Sequence, residues 1–308
     1  MINLVTGGAG FIGSFIVERL LRNKEKVICI DNLSTGKTDN IGNWINNPKF
    51  QFINHDVTKK INLKVDRIWH FASPASPIHY QKDPIMTSKI IFLGTYNLLE
   101  IARKNKAKLL LASTSEIYGD PEVHPQNESY WGYVNAIGKR SCYREGKRIA
   151  ESLCYDYFRI HKTNISIARI FNTYGPRMAP EDGRVISNFI SKAIRNEELV
   201  INGDGSQTRS FCYIDDLIAG LFKLMESDYI KPINLGNPNE EYSIIHIANI
   251  IKRKINPSLK IKNQKLSEDD PIRRNPDIKK ARLLLDWEPK INIDTGLEKT
   301  ISYFKNNL

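Results

Sequence analysis

A glycine-rich turn near the start of the chain constrains the fold more than any other feature of the sequence. Residues 7–13 read Gly-Gly-Ala-Gly-Phe-Ile-Gly, with glycine at the first, fourth and seventh positions. The turn follows Ile2–Thr6, an apolar run typical of a strand, and opens Phe11–Arg22, whose apolar residues recur at helical spacing. Glycine permits a tight turn and a close approach of the backbone to a diphosphate, and a helix start offers free N–H groups. The sequence therefore predicts a strand–turn–helix unit that binds a dinucleotide.

An acidic residue about twenty positions further on indicates which dinucleotide. Asp31 ends a second predicted strand, Lys26–Ile30. A carboxylate there can accept hydrogen bonds from both ribose hydroxyls of NAD, and it repels the 2′-phosphate of NADP. The alternative for Asp31 is a turn residue before Asn32. Asp56, which follows the predicted strand Phe50–Asn54, is a candidate adenine contact or, equally well, a cap at the strand end.

The alternation of apolar runs and helical patterns continues through the first two-thirds of the chain, which is typical of a parallel sheet with helices on both faces. The predicted fold class is α/β, with a Rossmann-type doubly wound parallel sheet and a smaller C-terminal substrate-binding lobe. The further strands are predicted at Arg67–Phe71, Leu109–Ala112, Asn164–Arg169 and Pro232–Leu235, and long helices at Asp83–Asn105 and Tyr143–His161.

Proline and glycine become frequent beyond about residue 173, which indicates a change of architecture. We expect residues 1–172, with a return near 212–236, to form the NAD-binding domain. Residues 173–211 and 237–308 are then expected to form the lobe that binds the substrate.

Composition argues against several other classes of protein. The sequence has no run of eighteen or more apolar residues, so we expect no membrane span, and Met1 leads directly into the glycine turn without room for a signal peptide. The four cysteines match no zinc or CxxC spacing. We therefore expect a cytoplasmic protein without disulfides and without a metal site.

The chain is basic, with 45 Lys and Arg against 34 Asp and Glu and a formal net charge of +11. These residues are spread along the sequence and form no long polybasic tract, so we expect solvated lysines and an anionic small-molecule ligand rather than nucleic acid.

Two further motifs carry candidate catalytic residues. Tyr143 and Lys147 are four residues apart, which places both on one face of a helix. A lysine ammonium beside a phenol is expected to lower the phenol's pKa from about 10, so that Tyr143 can act as a base. Ser113–Gly119 follows the predicted strand Leu109–Ala112, at the strand end where open α/β sheets place their chemistry, and Thr114 can hold a substrate alcohol there.

Together and in this order, the three motifs resemble the extended short-chain dehydrogenase/reductase family of sugar-nucleotide enzymes. The resemblance covers essentially the whole chain. It implies NAD on the Rossmann sheet, a nucleotide sugar in the C-terminal lobe, and Thr114, Tyr143 and Lys147 as the catalytic set. It also implies a homodimer, in which Asp83–Asn105 and Tyr143–His161 of each subunit form a four-helix bundle.

Within that family, several stretches look most like the UDP-glucuronic acid decarboxylases. This resemblance implies oxidation at C4 of the sugar, loss of CO2 from the resulting β-keto acid, and return of the hydride. The stretches are residues 70–77 (HFASPASP), 113–125 (STSEIYGDPEVHP), 130–132 (YWG), 169–178 (RIFNTYGPRM), 182–189 (DGRVISNF), 205–209 (GSQTR) and 270–280 (DPIRRNPDIKK).

The resemblance assigns three groups of site residues. The catalytic candidates are Thr114, Glu116, Tyr143 and Lys147. The NAD candidates are Gly7, Gly10, Phe11, Ile12, Gly13, Asp31, Asn32, Asp56, Ala72, Tyr143 and Lys147. The UDP-sugar candidates are Ser115, Tyr80, Lys89, Asn172, Arg184, Asn188, Arg209, Tyr213 and Arg274.

Ser115 favours decarboxylation over dehydration. Related dTDP-glucose 4,6-dehydratases usually have an Asp at that position, which helps to expel the C6 hydroxyl, whereas serine is a poor acid. Glu116 follows it and is expected to assist at the sugar ring, where its negative charge near the carboxylate substrate would raise its pKa or encourage loss of CO2. A dTDP-glucose 4,6-dehydratase and a UDP-sugar 4-epimerase remain alternatives, as does, more remotely, a non-catalytic relative that binds NAD or RNA.

The sequence departs from the family pattern in the helix before Gly94. It has Ile90-Ile91-Phe92 where the family usually has a polar pair.

Overall fold

The computed structural model describes residues 1–266 and 268–308. The strands, numbered in chain order, are β1 (Ile2–Thr6), β2 (Lys26–Asp31), β3 (Phe50–Asn54), β4 (Arg67–His70), β5 (Lys108–Thr114), β6 (Ile165–Ile170), β7 (Thr173–Tyr174), β8 (Leu199–Asn202), β9 (Thr208–Ser210), β10 (Cys212–Tyr213), β11 (Pro232–Leu235), β12 (Glu241–Ser243), β13 (Ile261–Gln264) and β14 (Arg273–Arg274). The α-helices are α1 (Phe11–Arg22), α2 (Pro77–Lys82), α3 (Pro84–Asn105), α4 (Ser141–His161), α5 (Val185–Ile194), α6 (Ile214–Glu226), α7 (Ile244–Ile255), α8 (Lys279–Leu285) and α9 (Ile293–Asn307).

The central sheet confirms the predicted fold class. It has seven strands in the order β11-β6-β5-β4-β1-β2-β3, and every neighbouring pair is parallel. The chain moves outward from β1 to β3, returns to β4 on the other side of β1, and continues to β11. This reversal creates a crevice at the carboxyl ends of β1 and β4, where a doubly wound sheet binds its ligands.

The element boundaries differ from the predicted ones by a few residues, and the pairing of the strands explains the main difference. Strand β5 was expected to end at Ala112 but extends to Thr114, because Ser113 pairs with Arg169 and Thr114 with Ile170 of β6. Helix α3 begins at Pro84 rather than Asp83, whose carboxylate instead caps it by accepting a hydrogen bond from Met86 N at 2.9 Å.

Two hydrophobic cores cover the two faces of the sheet. One packs α3 and α4 on β4, β5 and β6 and includes Leu99, Leu109 and Ile167. The other packs α1 and α6 on the opposite face and continues without interruption into the C-terminal part of the chain, where Phe189 and Leu297 belong to it. Because the second core is continuous, the lobe is fixed against the sheet and the crevice between them has a defined shape.

A small sheet in the C-terminal lobe brings distant basic residues together. Strand β9 pairs antiparallel with β12 and parallel with β14, so that Arg209 lies beside Arg274. Two more short parallel pairs are β7 with β10 and β8 with β13.

In the part of the chain that the structure describes, no helix is both long enough and apolar enough to cross a membrane.

Candidate active site

A cleft of about 970 Å³ opens between the carboxyl ends of the sheet strands and the C-terminal lobe. Its volume is at the upper end of the range for small-molecule sites, which suits a pair of ligands. All four predicted catalytic residues line it, together with the glycine turn and Arg274. The cleft therefore unites residues that are far apart in the sequence.

The glycine turn is shaped so that side chains would block it. Gly7 has a φ of +70°, and a Cβ there would lie 2.8 Å from Ala72 N. A Cβ at Gly13 would lie 2.2 Å from the carbonyl oxygen of Gly7. Helix α1 begins after Gly10 without a side-chain cap, so its first N–H groups are available to a phosphate. The turn fits the diphosphate of a dinucleotide.

Asp31 lies at the end of β2 and is buried in the wall of the same cleft. One carboxylate oxygen accepts from Ala9 N at 3.0 Å and the other from Leu33 N at 2.9 Å, which fixes the orientation of the side chain. Each oxygen keeps a further lone pair for a ribose hydroxyl. Burial raises the pKa of this carboxyl, while the two backbone hydrogen bonds oppose the increase.

The remaining NAD candidates also line the cleft, namely Phe11, Ile12, Asn32, Asp56 and Ala72. Asp56 accepts a hydrogen bond from Thr58 N at 2.8 Å, so the structure realises the capping role that was considered for it as well. The residues present in the cleft therefore fit NAD: the glycine turn would hold its diphosphate and Asp31 its adenosine ribose.

Tyr143 and Lys147 lie one turn apart on α4, and both are buried. Lys147 Nζ lies 5.8 Å from the centre of the Tyr143 ring and donates to Ala112 O at 2.8 Å. Thr114, at the end of β5, forms a hydrogen bond that lowers the pKa of Tyr143. Helix α4 and strand β5 thus bring a phenol, an ammonium and a hydroxyl to one point of the cleft.

The expectation that Lys147 lowers the pKa of Tyr143 is wrong for this structure. Burial and the nearby Glu116 carboxylate raise the pKa of Tyr143 to about 12, and they outweigh the opposing effects of Thr114 and the arginines. The Lys147 ammonium is directed to the carbonyl of Ala112, which reduces its effect on the phenol. Burial also lowers the pKa of Lys147 to about 8.

Glu116 is held by three guanidinium groups. Its carboxylate accepts from Arg144 Nε at 3.0 Å, Arg274 Nη1 at 3.0 Å and Arg140 Nη1 at 3.3 Å. Burial alone would raise the pKa of Glu116, but the three arginines hold it well below its ordinary value. In the protein alone the surrounding cations keep Glu116 ionised, and the expected effect of the anionic substrate on this pKa stays a prediction. Glu116 is a permanent anion that orients the guanidinium groups.

A second carboxylate extends this arrangement. Asp270 accepts from Arg140 Nη2 at 2.8 Å and pairs with Arg209 Nη2 at 3.1 Å. Four guanidinium groups against two carboxylates leave an excess of two positive charges in a buried place. We call this group the arginine cluster. Its members are Arg140, Arg144, Arg209, Arg274, Glu116 and Asp270.

One guanidinium edge in the cluster has no partner. Arg274 uses Nη1 to reach Glu116, while its Nε and Nη2 are buried without a hydrogen-bond partner among the described residues. Nε–H and Nη2–H lie on the same edge of a guanidinium, with the spacing that binds a carboxylate or phosphate through two parallel hydrogen bonds. Arg274 is among the residues that line the cleft, and these two buried donors are the part of its guanidinium left without a partner among the described residues.

Three members of the cluster, Arg140, Arg144 and Asp270, were not predicted from the sequence. A signal existed for the two arginines, since they are four residues apart at the start of α4 and flank Tyr143. Asp270 lay inside a stretch that supported the family resemblance, but nothing in its neighbours indicated a partner 130 residues earlier in the chain.

The predicted UDP-sugar residues divide into two groups. Ser115, Asn172, Arg184, Asn188, Arg209 and Arg274 line the cleft. Arg184 is paired with Asp182 and lies 5.5 Å over the Phe11 ring, so it also joins the lobe to α1.

The structure does not bring the other three to the cleft surface. Tyr80 is buried behind Tyr143, Lys89 points to solvent from α3, and Tyr213 packs in the lobe against Tyr174. Ile91, from the unusual apolar stretch, packs on α4, where a Cβ at Gly146 would lie 3.0 Å from it. The apolar stretch thus serves helix packing.

Comparison with known proteins agrees with this geometry. A family model described as GDP-mannose 4,6 dehydratase matches residues 4–300. UDP-glucuronic acid decarboxylase 6 of Arabidopsis thaliana is 54% identical over 295 residues, covering 96% of this chain and 86% of that protein. UDP-glucuronic acid decarboxylase 1 of Xenopus tropicalis is 50% identical over 305 residues, covering 99% and 72%.

Solved structures share the whole fold. The UDP-glucuronic acid 4-epimerase of Bacillus cereus, in complex with UDP-glucuronic acid and NAD, superposes with a TM-score of 0.91 and 31% identity, covering all of both chains. The motif resemblance, the fold and the sequence relatives agree. The chain therefore belongs to the GDP-mannose 4,6-dehydratase family and, within it, to the UDP-glucuronic acid decarboxylases.

Proposed function

We propose that this enzyme converts UDP-glucuronic acid to UDP-xylose and CO2 and regenerates its NAD in each cycle. The two donors of Arg274 without a partner, Nε and Nη2, are the observation that carries the proposal, because Arg274 lines the same cleft as Tyr143 and these donors have the spacing that pairs with a carboxylate. The close relatives named for this activity support the assignment.

Tyr143 is the base of the proposed reaction. Its phenol oxygen takes the proton of the sugar 4-hydroxyl, while Thr114, which is hydrogen-bonded to Tyr143, holds that hydroxyl in line. Bound NAD supplies the acceptor for the hydride from C4 and the positive charge that favours the phenolate. Because the pKa of Tyr143 is high in this structure, we do not expect a preformed phenolate. Removal of the proton from the 4-hydroxyl and oxidation at C4 are expected to occur together.

Oxidation at C4 makes the substrate a β-keto acid. The electron pair of the C5–C6 bond moves into the new carbonyl as CO2 leaves, and C5 of the enolate then takes a proton from solvent. Reduction of the C4 ketone by the hydride taken up in the first step, with Tyr143 returning the proton to the 4-oxygen, would give the xylose and regenerate NAD. Arg274 orients the carboxylate so that the breaking bond lies parallel to the orbitals of the ketone. The excess positive charge of the arginine cluster stabilises the bound anion in a buried place.

We propose that residues 1–172, with the return at 212–236, hold NAD, and that 173–211 and 237–308 hold the nucleotide sugar. The glycine turn and Asp31 would contact the diphosphate and the adenosine ribose, and Lys147 the nicotinamide ribose. A buried carboxylate at Asp31 favours NAD over NADP. Arg209, Asn172, Arg184 and Asn188 are the proposed contacts of the UDP-sugar.

Two related activities remain as alternatives. A dTDP-glucose 4,6-dehydratase would need an acidic residue where this chain has Ser115. The dehydratase is therefore the weaker of the two alternatives. A UDP-sugar 4-epimerase is harder to separate, since the epimerase of Bacillus cereus was solved with UDP-glucuronic acid and NAD. Recognition of a uronic acid is thus common to the epimerase and the decarboxylase, and the identity of the product distinguishes the two activities. A non-catalytic NAD- or RNA-binding role has no need for the Thr114, Tyr143 and Lys147 arrangement.

We propose a homodimer in which α3 and α4 of two subunits pack as a four-helix bundle. Both helices expose large apolar side chains, namely Ile85 (71% exposed), Phe92, Tyr96, Ile149 and Ile160 (72%). Such a surface is expected to be covered by another subunit. Light scattering after size exclusion should give about twice the chain mass of 35.3 kDa.

We also propose a reducing, cytoplasmic location, which the unpaired thiols of Cys29, Cys142, Cys154 and Cys212 support.

Ligand selectivity tests the proposed role of the cluster. The titrations use calorimetry, saturating NAD and the Tyr143→Phe variant, so that the sugar is bound but not converted. UDP-glucuronic acid should bind at least about tenfold more tightly than UDP-glucose, because only the acid satisfies Arg274. Equal affinities for the two sugars would show that the cluster does not recognise the carboxylate.

A further inference from the structure

We propose that Arg144 is a positioning residue for recognition of the substrate carboxylate. It fixes the place of Arg274 relative to Tyr143, through Glu116 and through the segment that leads into β14. The inference rests on the proposed function, since it concerns the contact proposed for Arg274. Tyr143 and Arg274 are among the described residues that line the cleft, whereas Arg144 is not. Arg144 therefore acts through the groups that it holds.

One edge of the Arg144 guanidinium joins two segments that are far apart in the sequence. Arg144 lies in the first turn of α4, beside Tyr143, and is 2% exposed. Its Nε donates to Glu116 Oε2 at 3.0 Å, and its Nη2 donates to the carbonyl oxygen of Asp269 at 2.8 Å. Nε–H and Nη2–H belong to the same edge of a rigid planar group. This edge therefore sets the separation between the carboxylate and the carbonyl.

The first route from Arg144 to Arg274 runs through the Glu116 carboxylate. Its two oxygens have different partners, since Oε2 accepts from Arg144 while Oε1 accepts from Arg274 Nη1 at 3.0 Å and from Arg140 Nη1 at 3.3 Å. Because a carboxylate is planar, a bond that fixes Oε2 also fixes the direction of Oε1. Arg144 thus orients the carboxylate on which the Arg274 guanidinium rests, and with it the two donors of Arg274 that have no partner among the described residues.

The second route runs through the backbone before β14. Asp269 has a φ of +60°, a left-handed conformation that is uncommon for a residue other than glycine. Arg144 bonds its carbonyl oxygen, and Asn135 Nδ2 donates to its carboxylate at 3.3 Å. The segment then enters β14, whose second residue is Arg274 and which pairs with β9. The segment is therefore held at its start by Arg144 and at its end by the small sheet.

A lysine at this position separates the shape of the guanidinium from its charge. Arg144→Lys keeps a cation beside Glu116, but a single nitrogen on a flexible stem cannot fix the carboxylate and the carbonyl at one separation. Arg148→Lys is the matched control. Arg148 is one turn further along α4, and its Nη1 donates to the carbonyl oxygens of Ile117 at 3.3 Å and Trp131 at 2.7 Å. Its replacement removes a guanidinium from the same helix and leaves the contacts of Glu116 in place.

The experiment measures the preference for a carboxylate by calorimetry, with saturating NAD and with Tyr143→Phe as the parent. The parent should bind UDP-glucuronic acid at least about tenfold more tightly than UDP-glucose. Adding Arg144→Lys should reduce this preference to about threefold or less, because the acid binds more weakly while the affinity for UDP-glucose stays within about twofold. Adding Arg148→Lys should leave the preference of the parent unchanged.

Two results of the titration would overturn the proposal. One is a preference that Arg144→Lys does not change. The other is an equal weakening of both sugars, which would mean general damage to the cleft. If Arg144→Lys fails to fold, Arg144→Gln replaces it, because its amide also lacks the guanidinium edge and the same loss of preference is expected.

Crystal structures of the parent and the variant without sugar test the positioning itself. The Glu116 carboxylate or the Arg274 guanidinium is expected to move by about 1 Å or more in the variant. Unchanged positions of both groups would overturn the proposal whatever the affinities. A parent that binds the two sugars equally would contradict the proposed function instead, and the two crystal structures would then decide this inference alone.

Discussion

The ring of Tyr143 lies flat on the ring of Tyr80, with centroids 4.9 Å apart and planes 2° from parallel. Tyr80 is 1% exposed, and its hydroxyl has no hydrogen-bond partner among the described residues. The contact restricts rotation of the Tyr143 ring, the proposed base, to motions within its own plane. Tyr80, predicted as a substrate contact, is therefore placed to orient the base.

Variants of Tyr80 distinguish orientation from substrate binding. Tyr80→Phe keeps the stacked ring and removes a buried hydroxyl without a partner, so kcat and KM should stay within about twofold and stability should be unchanged or higher. Tyr80→Leu removes the stack and should lower kcat about tenfold or more. A tenfold increase in KM for Tyr80→Phe would instead make Tyr80 a substrate contact.

Arg274→Lys tests the free guanidinium edge. Lysine keeps the charge near Glu116 but lacks two parallel donors, so we expect kcat/KM for UDP-glucuronic acid to fall about tenfold to a hundredfold. Arg273→Lys is the control, because Arg273 is the exposed neighbour on the same strand. If both variants lose the same activity, the loss reflects damage to β14 and not a carboxylate contact.

Gly13→Ala tests the cradle for the dinucleotide. Its new Cβ would lie 2.2 Å from Gly7 O, so the turn must move. The dissociation constant of NAD should rise at least about a hundredfold, as measured by calorimetry. Gly42→Ala places a methyl group where no atom lies within 4 Å and should leave NAD binding unchanged. Normal NAD binding by Gly13→Ala would contradict the assignment of the turn.

The buried His70 is expected to make the folded protein less stable in mild acid. His70 Nδ1 is bonded to Thr6 Oγ1 at 2.9 Å and Nε2 to Thr95 Oγ1 at 3.2 Å. Because the Thr95 hydroxyl donates to Ile91 O, Nε2 must carry a proton, and a neutral imidazole then accepts from Thr6 at Nδ1. Burial lowers its folded pKa to about 3 from the ordinary 6.5. Between these values the unfolded chain binds a proton that the folded chain does not, so stability falls as pH decreases.

The measurement is urea unfolding at pH 7 and pH 5. The wild type should lose about 2 kcal/mol more between these pH values than His70→Asn, which has nothing to titrate at this position. Identical losses in the two proteins would mean that His70 gains a proton in the folded state.

The sequence predicted the sheet well because its signals are local. The apolar runs of β1, β3 and β11 and the helical period of α1 each lie within one stretch, and the predicted bounds agree with the structure. The glycine turn was equally clear, since a strand, glycines and a helix are contiguous. Family membership, predicted from motifs, is confirmed by relatives that are 50–54% identical.

The electrostatics of the site could not be predicted in this way. Arg274 and Glu116 are in contact although 158 positions separate them, and the pairing depends on how β14 docks beside β9. The pKa of Tyr143 was predicted from its neighbour Lys147, whereas burial and Glu116 determine it. Burial is a property of the whole fold, so a pair of residues on one helix does not reveal it.

The most direct test of the account is the product formed from UDP-glucuronic acid with catalytic NAD, followed by NMR and by trapping of CO2, with Tyr143→Phe alongside. We predict stoichiometric CO2 and UDP-xylose without net NADH, and a rate for Tyr143→Phe lower by about a hundredfold to ten-thousandfold. UDP-galacturonic acid without CO2 would make the enzyme an epimerase, and no reaction with this substrate would contradict the proposed function altogether.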